Sequence, residues 1–477
     1  MNDAIADVVV VGGGIAGLAA TYELQLRGLA VRLLEASSRL GGVIHTERID
    51  GWVIDAGPDA LLVQKPAAVA LCRELGLGDR LISTRLPRTA YVLRDGRLRP
   101  LVEGSFLGFP VGVAALARSS LFTWAGKLRM ACEVAVPRAH GDDESIASFV
   151  RRRFGEEALE YLAEPLLAGI HAGDAERLSM PALFPRLVDA ERQAGSVLRS
   201  LRALHVRPSP RGAFVSLPGG LGELVDALSR VLRPDTVRLS APVTELRRLR
   251  RAGVFTIESQ GATLQARAVI LSVPAYTAAG LLRGVDTSLA ALCDAVPYAS
   301  TATVACGYRR DQVRHPLDGS GFVVPRVERN PLLAATWVTS KWPGRAPDGY
   351  VLTRGFLGGG RDPLRLERSD EDLIRITQDA LADTLEIEGD PVVTRLFRFP
   401  RQSPQYEVGH LQRVASIEQR LASVSGLFLA GSGFRAIGIP DCIADGRETA
   451  ARAAEYVATH SPVARGLQPP RPDGRAG

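Results

Sequence analysis

The chain has 477 residues, of which 46% are apolar and 23% are charged, with a formal net charge of +6. This length is too great for one simple core, so two or three domains are expected, and the composition is that of an ordinary globular protein. Apolar runs without charges stay shorter than the roughly 20 residues that a membrane-spanning helix needs. The N-terminal MNDAIAD lacks the basic region of a secretory signal, so export is not expected.

Cysteine and basic residues limit the function further. The five cysteines are scattered and form no CxxC pair, which predicts reduced thiols in the cytoplasm and neither a metal site nor a disulfide framework. The positive charge comes almost wholly from arginine, since the only lysines are Lys65, Lys127 and Lys341. Two alternatives explain the excess of arginine over lysine: a codon usage that favours arginine, or an anionic substrate that pairs with guanidinium groups. Aromatic residues make up only 6% of the chain, and no basic stripe contains them, so nucleic acid is not an expected partner.

The first segment, ADVVVVGGGIAGLAATYELQLRG, predicts a dinucleotide-binding unit. An apolar strand at 8–11 leads into the GxGxxG turn of Gly12, Gly14 and Gly17, an amphipathic helix follows, and a second strand ends on Glu35. Such glycines permit a tight turn, the approach of a pyrophosphate and close strand–helix packing, while the acidic residue accepts the hydroxyl groups of a ribose. Replacement of Gly12 by valine is expected to abolish cofactor binding because the branched side chain would fill the pyrophosphate approach.

The residues after Glu35 indicate which dinucleotide binds. The segment ASSRLGG contains Arg39 and the pair Gly41–Gly42, and RxGG at this place is typical of FAD proteins related to amine oxidases rather than of nicotinamide dehydrogenases. An ordinary turn at Gly41–Gly42 is the alternative. Gly57–Pro58–Asp59 is expected to form a second backbone edge against the flavin. The predicted cofactor is FAD, bound non-covalently.

The middle of the chain predicts a helical part and then a sheet. Residues 109–215 are mainly helical in pattern, and the segment at 104–122 is apolar enough either to cover a deep pocket or to dip into a membrane surface. The run of Arg151, Arg152 and Arg153 is interpreted as a solvated helix face. Period-2 runs at 279–406 predict an antiparallel sheet that forms the floor of a substrate cavity.

The last part of the chain is expected to return to the first domain. The apolar GLFLA predicts one more strand of the first sheet, whose carboxyl end delivers Gly431. A helix then begins near Ile439, with Pro440 in its first turn and Asp441 as a capping residue. The positive end of this helix dipole is expected to face the flavin, where negative charge develops on reduction.

These patterns together predict an α/β fold with α+β insertions. The FAD-binding domain is doubly wound, Rossmann-like and discontinuous, at 1–86, 216–278 and 407–460. An antiparallel-sheet substrate-binding domain covers 87–108 and 279–406, and a helical lobe covers 109–215. For this lobe a membrane-facing surface is an open alternative, so peripheral association with the inner face of the cell membrane is kept beside a cytoplasmic location. The tail at 461–477 is expected to be disordered.

Three segments carry a resemblance to a known family: GPDALLVQKP (57–66), EPLLAGIHAGDAERLSMPALFP (164–185) and GIPDCIADG (438–446). They resemble the flavin-dependent porphyrinogen oxidases of haem biosynthesis, which are relatives of the amine oxidases, and the resemblance covers residues 5–458. It implies a tetrapyrrole substrate that loses six electrons and six protons over three flavin cycles, with dioxygen as acceptor and hydrogen peroxide as product. No dedicated side-chain base is expected. Other enzymes of haem biosynthesis are further partners that the resemblance implies.

The resemblance also assigns residues. Lys65, Gly169, Val323 and Phe356 match positions that face the substrate, although ordinary core packing is the alternative for Val323 and Phe356. Phe399 falls where the family often has a tryptophan near the flavin, and Val243 beside the adenine end. The full set of expected cofactor residues is Gly12, Gly13, Gly14, Ile15, Ala16, Gly17, Glu35, Ala36, Arg39, Gly42, Gly57, Pro58, Asp59, Ala60, Val243, Phe399, Gly431, Ile439, Pro440 and Asp441.

One departure from the family pattern bears on the substrate. Members that act on protoporphyrinogen IX often carry an arginine where this chain has Ala90, with Arg88 two residues earlier. The resemblance therefore favours coproporphyrinogen III, and protoporphyrinogen IX is the alternative. Two further alternatives are an amine oxidase on the same scaffold and a flavoprotein that binds porphyrin without catalysis.

Overall fold

A computed structural model describes residues 5–101, 105–106, 109–110, 113–138, 141–203, 212–249 and 253–460. The predicted tail and part of the apolar segment at 104–122 lie outside the described residues. The chain divides into two compact units: Met1–Gly42, Val225–Ala295 and Ser416–Gly477 form the first unit, and Val43–Leu224 and Val296–Ala415 form the second unit. The three-part division expected from the sequence remains a prediction.

The first unit is built on a seven-stranded sheet. Its core strand, Ala6–Val11, has Val8, Val9 and Val10 fully buried, as expected for a parallel strand that is covered on both faces. Parallel partners flank it on both sides, and the far edge is an antiparallel meander. In sheet order the strands are Val237–Arg238, Val31–Leu34, Ala6–Val11, Ala262–Leu271, Val254–Ser259 and Val243–Leu249, with Leu427–Leu429 also paired to Ala262–Leu271.

Two long helices of the first unit pack against each other: Ile15–Leu26 and Ile439–Thr459. Their backbones approach closely at Gly446, where an added Cβ atom would lie 2.2 Å from the carbonyl oxygen of Ala16. The strand at Leu427–Leu429 and this helix confirm the expected return of the chain to the first sheet. Shorter helices lie at Ala275–Leu282 and Thr287–Asp294, and the helices Gly222–Val231 and His410–Leu421 contain the points where the chain passes between units.

The second unit contains another seven-stranded sheet, which is almost wholly antiparallel. The helix Asp370–Leu385 covers one face and buries its Leu373 and Leu381 against Val304 and Phe322. Alternate residues of the same strands point to the opposite face, which is the face of the candidate site. In sheet order the strands are Val393–Pro404, Tyr298–Arg309, Tyr350–Gly358, Ala334–Trp337, Gly321–Val323, Ala90–Arg94 and Arg97–Pro100.

Smaller elements complete the second unit. Short strands pair as Thr46–Ile49 with Trp52–Asp55, as Ser105–Phe106 with Phe109–Pro110, and as Phe214–Ser216 with both Leu61–Leu62 and Ile82–Ser83. Short helices lie at Pro66–Glu74 and Val338–Lys341. The helical part consists of Val113–Arg118, Trp124–Ala131, Ile146–Phe154, Glu156–Ala158, a π-helical turn at Leu159–Ala163, Glu164–His171, Met180–Leu183, Pro185–Ala194 and Val197–Ala203. This architecture confirms the predicted fold class.

The interpretation of the arginine run as a solvated face is wrong for one of its three members. The Arg153 side chain is fully buried, whereas 43% of the Arg151 side chain is exposed. Arg153 pairs with the buried Glu133 and with Glu191, and Glu133 also accepts hydrogen bonds from Ser196 and from backbone amides at the start of the helix Val197–Ala203. This ion cluster ties helices of the second unit together.

Candidate active site

The glycine turn of the first unit gives each glycine a different role. Gly12 has φ +105°, and an added Cβ would lie 2.4 Å from the carbonyl oxygen of Ser272, so this position requires glycine to fit against the neighbouring strand end. An added Cβ at Gly17 would lie 1.9 Å from the Gly12 carbonyl oxygen. At Gly14, by contrast, an added Cβ would meet no atom of the described residues within 4 Å. The open side of the turn is therefore at Gly14, directly before the helix that begins at Ile15.

This geometry corrects the reason given for the expected effect of Gly12→Val. The side-chain direction at Gly12 leads into the Ser272 backbone rather than to the open side of the turn. A substitution at Gly12 would disturb the protein itself, whereas a side chain at Gly14 would enter the open space. The turn nevertheless has the form that a dinucleotide requires, with a helix N-terminus that is open to an incoming phosphate.

Glu35 follows the strand Val31–Leu34 and is hydrogen-bonded on both carboxylate oxygens. Oε2 accepts from the Gly13 amide at 2.6 Å, and Oε1 accepts from the amide and hydroxyl of Ser37, each at 2.7 Å. The Glu35 carbonyl also accepts from Ala241, which brings the start of the strand at Val243 beside it. Each carboxylate oxygen retains acceptor capacity for a ribose hydroxyl.

The RxGG segment is fastened to the glycine turn. The Gly41 amide donates to the Gly13 carbonyl at 2.8 Å, and the exposed Arg39 donates to the Gly42 carbonyl at 2.7 Å. An added Cβ at Gly42 would lie 3.3 Å from the Gly14 Cα. Arg39 thus stabilises the turn that lies against the open side, and the exposed Ala36 precedes it.

The late part of the chain meets the early part inside the first unit. An added Cβ at Gly431 would lie 3.6 Å from the Ala16 Cβ. The Gly431 amide donates to Asp445 at 2.7 Å, and the other Asp445 oxygen accepts from Arg435 at 3.0 Å. Sequence reasoning missed Asp445 and Arg435, although an acidic residue in the second turn of a helix that begins at a glycine loop is a usable signal.

The helix that begins at Ile439 has the predicted start. Pro440 lies in its first turn, and the Asp441 carboxylate accepts from the Gly438 amide at 3.2 Å. Cys442 is buried, and its Sγ lies 3.7 Å from the Ala436 carbonyl oxygen. The first turn of this helix thus presents backbone amides and the positive end of its dipole.

In the second unit, the predicted Gly57–Ala60 segment lies along the sheet. An added Cβ at Gly57 would lie 3.5 Å from the Phe399 ring, so these two predicted cofactor residues are neighbours. The Thr303 hydroxyl donates to the Ala56 carbonyl at 2.6 Å, and Arg354 donates to the Gly57 carbonyl at 2.7 Å. Sequence reasoning missed Arg354, which stands as a single charge within the apolar pattern YVLTRGFLGG.

Asp59 is held by the protein through its side chain. The carboxylate accepts from Lys341 at 2.9 and 3.0 Å and from the Trp342 indole at 3.1 Å, while Arg354 lies 3.5 Å away. Burial alone would raise the pKa of Asp59, but the charges of Lys341 and Arg354 and the hydrogen bonds outweigh it and hold the pKa well below its usual range. The protein itself thus engages the Asp59 carboxylate, whereas its neighbours Pro58 and Ala60 are partly exposed.

Three of the four predicted substrate residues come together on the same sheet face. Val323, Ala334 and Phe356 are direct partners on three adjacent strands, so their side chains share a face. An added Cβ at Gly169 would lie 3.3 Å from Val323 and 3.5 Å from Ala334. Gly169, Val323 and Phe356 are all partly exposed, which leaves an apolar surface for a flat ligand.

Lys65, the fourth predicted substrate residue, acts electrostatically on His171, the last residue of the helix Glu164–His171 that also contains Gly169. It precedes the helix Pro66–Glu74 and is exposed. Burial, with a smaller effect from the Lys65 ammonium, lowers the pKa of His171 to about 4. His171, two residues after Gly169, is therefore neutral at neutral pH, and its ring packs edge-on to Phe184 at 6.2 Å between centroids.

Comparison with known proteins identifies the class. A family model described as "Flavin containing amine oxidoreductase" matches residues 15–454. The chain therefore belongs to this family and is an FAD-dependent oxidoreductase, as the glycine turn and the RxGG segment predicted. Within the described residues, no helix combines the length and apolar character that crossing a membrane requires.

Within this family, the chain is similar in sequence to proteins named as porphyrinogen oxidases. The chain is 34% identical to the coproporphyrinogen III oxidase of Bacillus subtilis over 96% of its own length and 100% of that protein. It is 28% identical to the chloroplastic protoporphyrinogen oxidase of Nicotiana tabacum, over 95% of its length and 86% of the relative. A solved structure from Exiguobacterium sp. 255-15, assigned provisionally as a protoporphyrinogen oxidase, has a TM-score of 0.84 and 31% identity over 95% and 99% of the two chains. Putrescine oxidase has a TM-score of 0.68 at 19% identity and covers 94% and 98% of the two chains, so it shares the fold.

Proposed function

We propose that this protein oxidises coproporphyrinogen III to coproporphyrin III, a loss of six electrons and six protons, with dioxygen as the acceptor. The observation that carries the proposal is the apolar surface of Gly169, Val323 and Phe356 on the sheet of the second unit, which lies next to strands that also hold the Gly57 segment. A broad, largely apolar macrocycle suits such a surface better than a small, flexible amine does. The names of the first relatives support the same substrate class.

The residues of the chain would bind and orient rather than exchange protons. FAD supplies the redox chemistry, since it accepts two electrons in each cycle. In the first unit, the amides at the open side of Gly14 and the Glu35 carboxylate would hold the pyrophosphate and ribose, and the helix start at Pro440 and Asp441 would favour negative charge on the reduced cofactor, by roughly 0.3–2 kcal/mol. In the second unit, Val323 and Phe356 would exclude water from the macrocycle faces.

Charge at the edge of the surface favours a carboxylate-bearing substrate. Lys65 is cationic, and the neighbouring His171 is neutral because burial and the Lys65 charge lower its pKa. A propionate of the substrate would pair with Lys65 at this edge, and His171 would stay neutral. Protoporphyrinogen IX, which has fewer propionates, is the second candidate, and the relative from Nicotiana tabacum supports it.

The test compares substrates under anaerobic and aerobic conditions. Anaerobic coproporphyrinogen III should bleach the bound flavin, and aerobic turnover should yield fluorescent porphyrin with a higher kcat/KM than protoporphyrinogen IX gives. Turnover of putrescine or tyramine without turnover of either porphyrinogen would replace the proposal by an amine oxidase. Porphyrin binding without flavin bleaching would replace it by a non-catalytic carrier.

We also propose that the protein binds membranes peripherally through the helix Trp124–Ala131. The residues Trp124 and Leu128, one turn apart, are 75% and 67% exposed, and the Lys127 ammonium lies 4.4 Å from the centre of the Trp124 ring. An exposed tryptophan beside a lysine suits the headgroup layer of an anionic bilayer. Co-sedimentation with phosphatidylglycerol vesicles should fall at least tenfold for Trp124→Ser with Leu128→Ser, and unchanged sedimentation would exclude this surface.

A further inference from the structure

Arg354 lies next to the candidate surface in the second unit, in contact with the Phe356 ring. It lies in the strand Tyr350–Gly358, two residues before Phe356 and therefore on the same sheet face. Only 3% of the residue is exposed. An arginine is rarely buried to this degree unless its guanidinium has several partners.

The guanidinium joins the two functional parts of this unit. Nη1 donates to the Gly57 carbonyl at 2.7 Å and also to the Asp55 carbonyl. Nη2 lies 3.5 Å from the Asp59 carboxylate, and Cζ lies 4.9 Å from the centre of the Phe356 ring. One side chain thus contacts the backbone edge that is expected to face the cofactor and the ring that is expected to face the substrate.

Arg354 also belongs to a charge cluster, defined by Asp55, Asp59, Lys341, Arg345 and Arg354, of which all but the partly exposed Lys341 are buried. Arg345 lies 3.2 Å from Asp55, and Lys341 lies 2.9 Å from Asp59. Three cations face two carboxyl groups, so at least one positive charge is in excess. Among the described residues, Nε of Arg354 has no hydrogen-bond partner and no exposure to solvent, which leaves part of this charge uncompensated in a medium of low polarity.

We propose that Arg354 is a positioning residue for the flavin reaction. Its planar fork fixes the Gly57 edge relative to Phe356, and the excess charge of the cluster creates a positive potential at this edge. A positive potential favours the reduced cofactor, on which negative charge develops. The role of Phe356 in this inference rests on the proposed function, whereas the dependence on FAD is a property of the family.

The experiment measures the midpoint potential of the bound flavin in the holoenzyme without any substrate. Arg354→Met removes the charge, and the reduction equilibrium should shift at least tenfold toward oxidised flavin, which is about 30 mV for a two-electron couple. Arg354→Lys keeps the charge, so the reduction equilibrium of its flavin should stay within threefold of that in the wild type. Arg395→Met is the matched control, because Arg395 lies on the same sheet face but pairs with Glu47, and it should leave the potential unchanged.

Kinetics of the lysine variant test the positioning part. Lysine has a single terminal nitrogen, so it cannot donate to the Asp55 and Gly57 carbonyls as Nη1 does while a second nitrogen faces Asp59 as Nη2 does, and Arg354→Lys should lose at least tenfold in kcat with coproporphyrinogen III while KM changes less than threefold. A wild-type kcat in Arg354→Lys would overturn the positioning role, and a wild-type potential in Arg354→Met would overturn the electrostatic role. If Arg354→Met does not fold, Arg354→Gln serves the same measurement. Failure of the proposed function would instead appear as a wild-type enzyme that oxidises no porphyrinogen.

Discussion

Substitutions at two neighbouring glycines should separate cofactor binding from protein stability. At Gly12, alanine would combine an unfavourable φ of +105° with a Cβ placed 2.4 Å from the Ser272 carbonyl oxygen. The backbone strain costs about 1–3 kcal/mol and the overpacking about 1–3 kcal/mol, so Gly12→Ala should destabilise the apoprotein by about 2–6 kcal/mol. At Gly14, φ is −67° and ψ is 175°, which any residue adopts, and the apoprotein should lose less than about 1 kcal/mol.

The cofactor should respond in the opposite way at Gly14. The alanine methyl group would enter the open side of the turn and displace a phosphate from the helix amides, and charge-assisted hydrogen bonds of this kind contribute about 1.5–3 kcal/mol each. Loss of two such bonds corresponds to at least a hundredfold weaker FAD affinity. Urea unfolding of the apoprotein and fluorescence titration with FAD measure the two effects separately.

Gly280→Ala is the control, because it lies in a helix of the same unit and its added Cβ meets none of the described atoms within 4 Å. It should leave FAD affinity unchanged. A Gly14→Ala protein that binds FAD with wild-type affinity would refute the assignment of the open side of the turn as the phosphate site.

Three further predictions concern the buried network, the site histidine and the late loop. Arg153→Met should lower the free energy of unfolding by about 3–5 kcal/mol, because it leaves Glu133 buried without its partner, and urea denaturation of the apoprotein measures this loss. For His171, whose pKa falls from 6.5 to about 4, the unfolded state binds the extra proton below pH 6.5, so stability should fall between pH 6.5 and 4 by at most about 3 kcal/mol; His171→Gln should remove this part of the pH dependence in parallel unfolding series. Asp445→Ala removes the acceptor of the Gly431 amide and should weaken FAD binding about tenfold, as measured by titration of the apoprotein.

Each of these predictions has an outcome that contradicts it. Arg151→Met is the control for the buried arginine, because Arg151 is exposed and should contribute less than about 1 kcal/mol; equal effects at the two positions would mean that burial is not decisive. Identical stability–pH slopes for the wild type and His171→Gln would show that the histidine is not perturbed. Unaltered FAD affinity in Asp445→Ala would show that the Gly431 loop needs no such support.

Local pattern made the first unit predictable. The strand, glycine turn, helix and acidic residue at the start of the chain are contiguous, and each has a propensity that agrees with its neighbours. The late strand at Leu427–Leu429 and the helix that begins at Ile439 were predictable for the same reason, since an apolar run, a glycine loop and Pro440 follow one another. The second sheet followed from its period-2 runs.

Partners that are distant in sequence were not predictable. Three consecutive arginines point in three directions around a helix, and only the fold shows that Arg153 is the one that meets Glu133. Arg354 interrupts an apolar strand, yet no residue close to it in sequence indicates that Gly57 and Asp59 are its partners. The sequence predicted a tight turn at Gly12 but the wrong direction for a side chain there. That direction is set by Ser272, which follows the strand Ala262–Leu271 and is distant in sequence.

The contact between Gly446 and Ala16 has a consequence for biosynthesis. Ribosomes release the glycine turn long before the helix that packs on it and the loop at Gly431. Until then the helix Ile15–Leu26 lacks the helix that packs against it, and a nascent chain can present only a partial nucleotide cradle. Flavin loading must therefore wait for the helix Ile439–Thr459, and chains truncated before this helix would stay free of flavin.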